Sequence, residues 1–116
     1  MAVGRRYENR WVQFKISEDI RFGLLNPAYD KEVIAQGKDL DKHYNEAFIR
    51  SIPKNIRTGN HVILNLRADN LPEEYERVKR ISPGHVTEIM YVNFMFPYTF
   101  FMVQGPDGNW IVIADA

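Results

Sequence analysis

The side chains of this chain best suited to coordination or ring stacking are three histidines, at 43, 61 and 85, and two tryptophans, at 11 and 110. Cysteine is absent, which removes thiolate metal sites, disulfides and a thiol nucleophile. No P-loop, GxGxxG or GxSxG string occurs, and Ser17, Ser51 and Ser82 sit in turn-like contexts. Nucleotide-cradling loops and a serine nucleophile therefore find no support. In "NHVILNLRA" (60–68) His61 alternates with Ile63 and Asn65, so a strand there presents all three on one face. The same arithmetic groups Trp110, Val112 and Ala114 in "WIVIADA", with Ile111 and Ile113 opposite. It also groups Trp11 with Gln13 in "RWVQFKI" (10–16). A lone imidazole does not hold a divalent ion through three or four protein bonds. His61 is read first as a hydrogen-bonding histidine, and His43 and His85 as surface residues.

The elements that must position these residues belong to one domain, by the size of a 116-residue chain. Hydrophobic residues at 45% and charged residues at 26% are ordinary for a globular protein. Fifteen basic and fifteen acidic side chains give a formal net charge of zero. No long-range field then recruits polyanions or acidic lipids, so neither nucleic acid nor a membrane surface is expected as a partner. No apolar run approaches the roughly 20 residues that span a bilayer. The opening "MAVGRRYENRW" lacks the apolar core of a signal peptide. With the lack of cysteine, this points to a cytoplasmic location. The chain enters its first legible strand so early that a preceding element is expected to be missing.

Residues 10–16 alternate with Val12, Phe14 and Ile16 on one face, "SED" (17–19) turns the chain, and "IRFGLLNP" extends to Pro27. This spells a hairpin. Residues 28–59 are read as a long connection with one short helical piece, broken by Gly37, Pro53 and Gly59. After the strand at 60–68, "DNLPEEYERVKRI" carries every mark of a helix. Asp69 or Asn70 caps it, Pro72 lies in its first turn, and Glu73 and Glu74 face Lys79 and Arg80 across the dipole. Leu71, Tyr75 and Val78 make its apolar stripe, "SPG" (82–84) ends it, and Glu73–Arg77 is an expected surface pair. Two strands follow, joined by a loop around 93–98, then the hairpin turn "GPDGN" (105–109) and the last strand. The class is α+β, with one curved, mixed sheet and a helix on one side.

"NHVILNLRADNLPEEYERVK" followed by "FFMVQGPDGNWIVI" resembles the second half of the glyoxalase / bleomycin resistance / extradiol dioxygenase (vicinal oxygen chelate) superfamily. His61, Asp69, Tyr75 and "GPDGN" carry the likeness, and "FGLLNP" is similar to a strand of the first half. The resemblance implies βαβββ modules whose sheets curl about a cavity. Residues 10–27 would be a remnant of the first module, 28–59 the connection and 60–116 the second module. The usual first strand and helix are missing, so the N-terminal module is incomplete. An open sheet edge would then call for a partner, most simply in a homodimer.

Metal-using members of that family hold a divalent ion through side chains on several strands. Of those positions, one falls on the missing strand, one on Gly23 and one on Val112 where a Glu is usual, so only His61 matches. The resemblance therefore implies a metal-free protein, without a cofactor or a catalytic residue, that binds a small organic molecule in a dimeric cavity. Trp11, Gln13, His61, Ile63, Asn65, Trp110 and Val112 would line it, the indoles stacking on an aromatic or cationic ligand. Filling the core is the competing role for both indoles, and packing for the phenylalanines of "FMFPYTFF". The alternative is a lyase, transferase or dioxygenase using one divalent ion, with His61 among ligands rearranged or supplied by a partner subunit. A third is a pure interaction module.

Overall fold

In a computed structural model of the chain, the described residues are 2–52, 63–82, 84–106 and 108–115. Eleven elements succeed one another: β1 (Ala2–Tyr7), β2 (Trp11–Lys15), β3 (Arg21–Leu25), α1 (Pro27–Gln36), α2 (Leu40–His43), α3 (Glu46–Ser51), β4 (Leu64–Arg67), α4 (Leu71–Ile81), β5 (Met90–Asn93), β6 (Pro97–Gln104) and β7 (Trp110–Ala114). The fold is mixed α+β, with two sheets and four helices among the described residues. None of the described helices is long and apolar enough to cross a membrane. Two compact units divide the chain, residues 1–40 with 52–58 and residues 41–51 with 59–116.

The first unit holds an antiparallel sheet of order β1-β2-β3. Its alternating segments pair in the register Val12↔Leu24 and Phe14↔Phe22, and β1 adds Val3↔Phe14 and Arg6↔Val12 across a bulge. The hairpin closes where Ile16 donates to the Ile20 carbonyl at 3.0 Å and the Ile20 N–H donates to Ser17 Oγ at 3.2 Å. Asn26 then caps α1 by accepting from the Ala28 N–H, and Pro27 occupies the first turn, where its missing N–H costs nothing. Gly37 stops the helix at φ +70°, a conformation an L side chain would strain. Helix and strand turn are tied by a two-pronged ion pair. Arg10 Nε and Nη2 donate to the two Asp30 oxygens at 2.9 and 3.0 Å, and Asp30 is only 3% exposed.

The second unit follows a strand, helix, three-strand order into a mixed sheet, β4-β7-β6-β5. β4 runs parallel to β7, and the remaining pairs are antiparallel. α4 begins as its residues require, with Asn70 Oδ1 accepting the Glu73 N–H at 3.2 Å. Its stripe packs on one sheet face, where Leu71, Val78 and the fully buried Phe101 form a cluster with Tyr75, Val86, Val103 and Ile113 around it. Burying such a side chain contributes roughly 2 kcal/mol. On the other face lie Met90, Val92, Phe100, Val112 and Ala114, all buried. α3 covers part of that face, with Phe48 edge-on to Phe100 at 6.2 Å between ring centroids and stacked on Tyr44 at 5.0 Å.

Several expectations need correction. The described residues form two sheets, not one. A strand, β1, does precede 11–15, although Gly4, Arg5 and Arg6 give it no apolar alternation to read. The described part of 28–59 contains three helices, not one short piece. Their apolar residues are too sparse to show a stripe, and α1 is fixed by its caps instead. Pro97 opens β6 and pairs with Asn93, so the loop shrinks to 94–96. Arg77 pairs with Glu74 one turn away, not Glu73, whose carboxylate accepts from Asn70 Nδ2 at 3.2 Å.

Candidate functional site

The sheet of the second unit offers the clearest meeting of the residues singled out in the sequence. Register places Asn65 beside Val112 and Val112 beside Met102, so the three share the face turned away from α4. Trp110, Ala114 and Tyr98 lie on that face by alternation along their strands. Asn65 Nδ2 donates to the Tyr98 hydroxyl at 2.9 Å, reaching across β7. Asn65 is exposed and Tyr98 and Trp110 are half-buried, whereas Val112 and Ala114 form an apolar floor, 7% and 0% exposed. Ile113, as expected, packs on the opposite side under α4. Ile63 lies exposed just before β4. His61 lies outside the described residues.

An amide and a phenol beside an aliphatic floor can exchange hydrogen bonds with a small polar group while an apolar body lies flat. Among the described residues, no three His, Cys, Asp or Glu side chains gather as metal ligands would. His85 stands at the rim, its ring edge-on to Trp110 at 5.8 Å, and is exposed as expected. His43 is not the surface residue its sequence context suggested. It is half-buried, stacked on Phe94 at 4.4 Å with the rings 7° apart, and its Nδ1 lies 2.7 Å from the Asn93 carbonyl. That histidine pins α2 to the β5 edge.

Trp11 and Gln13 belong to β2 of the first unit. Trp11 lines an open cleft of about 360 Å³ together with Arg6, Glu8, Arg10 and Asn26. Nearby, the Tyr29 hydroxyl donates to Glu8 at 3.0 Å. Burial, and then that hydrogen bond to a carboxylate, push the Tyr29 phenol well above its ordinary range. A smaller cleft of about 210 Å³ runs along α4 in the second unit, lined by Leu66, Arg67, Ala68, Glu74 and Ile113.

Two contributors were missed by the sequence reading, Tyr98 and Met102. Alternation through "PYTFFMVQ" would have set both beside Phe100, had Pro97 not been taken as a break. No protein-family model, no curated protein and no solved structure matches the chain.

Proposed function

We propose that the chain is a metal-free protein of the glyoxalase / bleomycin resistance type that binds a small organic molecule, aromatic or cationic, without turning it over. The observation that carries this reading is Val112. It stands, aliphatic and buried, on the closing strand of a strand, helix, three-strand unit, at the position where the resemblance expects a carboxylate ligand. A valine can neither hold an ion nor move a proton. What remains on that face, the Asn65–Tyr98 pair and the indole of Trp110, suits recognition better than chemistry.

The test combines elemental analysis of the purified chain with thermal shifts against planar aromatic cations, with and without a chelator. The reading expects no stoichiometric transition metal, and a concentration-dependent rise in Tm that the chelator leaves unchanged. A retained equivalent of zinc, nickel, manganese or iron would overturn it in favour of a metal-dependent lyase, transferase or dioxygenase. A flat response across the whole panel would leave only an interaction module.

A further inference from the structure

The three-stranded sheet of the first unit carries a face whose pattern is that of a core and whose exposure is that of a surface. Register aligns Val3, Phe14 and Phe22 in one row and Val12 with Leu24 in the next. Ile16 and Ile20 continue the same alternation to the hairpin apex, where they pair through the backbone at 3.0 Å. Yet Val3 is 65% exposed, Ile16 55%, Ile20 57%, Phe22 49% and Leu24 52%. Five such side chains at about half exposure leave on the order of 500 Å² of contiguous apolar surface, at the upper end of what a monomer shows to water.

We propose that this face is an isologous interface, and that its occupant is the same face of a second copy of the chain. Two observations select that partner. One is area. Two copies stacked face to face would remove on the order of 1,000 Å² from these side chains alone, which is where specific interfaces begin. Val12 and Phe14 on the central strand, already half-buried, would be covered as well. The other is charge. The hairpin apex carries Glu18 and Asp19, and the opposite end of the same face carries Arg6, in register with Val12. A twofold axis near Phe14 lays the acidic apex of one copy over Arg6 of the other, twice. Parallel stacking would set like charge on like. Aligned antiparallel sheets also pack in this way, their inner side chains interdigitating. The interface does not depend on the ligand reading, because it lies on a different sheet from Asn65, Tyr98 and Val112.

Sedimentation velocity of the 116-residue chain across a micromolar concentration series tests this directly. The expected result is a dimer of twice 13.6 kDa, which Phe22→Lys converts to a monomer with an unchanged circular dichroism spectrum. Should Phe22→Lys not fold, surface charge reversals carry the test. Arg6→Glu alone, or Glu18→Arg with Asp19→Arg, should weaken the dimer about tenfold or more, and combining all three should restore it. A monomeric wild type overturns the proposal. So does a dimer indifferent to these substitutions.

Discussion

The two sheets are built from the same alternating patterns and end with opposite burial. In the second unit, helices flank both faces of the sheet, and all ten of the buried apolar residues among those described lie there. In the first unit, the one buried residue described is a carboxylate, Asp30, while the apolar residues of β2 are only half-buried and those of β3 are exposed. Alternation therefore fixes which side chains share a face, whereas covering that face is the work of another element. The first unit is organised by polar links, namely the Arg10–Asp30 fork, the Asn26 cap and the Tyr29–Glu8 bond. The second is organised by packing.

Substitutions in each unit should separate these two modes. The largest loss is expected for Phe101→Ala, which empties the centre of the α4 cluster and should cost about 3–5 kcal/mol in urea unfolding. A loss under about 1 kcal/mol would mean that the cluster is loosely packed. Asp30→Ala should cost about 3 kcal/mol, because it removes the carboxylate that both prongs of the Arg10 guanidinium, 12% exposed, engage. Pairing it with Arg10→Met should recover most of that loss in a double-mutant cycle. If the double variant were as unstable as the sum of the two, the fork would not be the organising contact.

Next, Asn70→Ala should cost about 1 kcal/mol by removing the cap of α4. The smallest effect is a pH dependence. With its folded pKa raised, the Tyr29 phenol contributes stability that is fully present below about pH 10, its ordinary value. That stability is lost as pH rises from there towards the folded value. Tyr29→Phe should flatten this alkaline decline in Tm, and an unchanged slope would place the titration elsewhere.

Local signals were the legible ones. The caps of α4, its stripe of Leu71, Tyr75 and Val78, the hairpin at 17–20 and the turn after Gln104 follow from residue types a few positions apart. The turn closes with Gly108 at φ +91° and its N–H donating to the Gly105 carbonyl at 3.0 Å. What escaped depends on distant partners. Tyr44 joins the sheet only by bridging Val92, His43 acquires its place by stacking on Phe94, and β1 is a strand because β2 offers it an edge. No local periodicity encodes any of these. Of the candidate site, parity grouped Val112 with Trp110 and Ala114, but only the parallel register of β4 with β7 sets Asn65 beside Val112, and Tyr98 was lost behind a proline that here opens β6.

Trp11 and Trp110 are the only indoles, one in each unit, so the Trp11→Phe variant reports from the second unit alone. Its fluorescence, titrated with planar aromatic cations in the presence of a chelator, interrogates the functional claim most closely. The account expects a saturable change that adding divalent ions leaves untouched. No saturable change, or one that arises only when metal is restored, would contradict it.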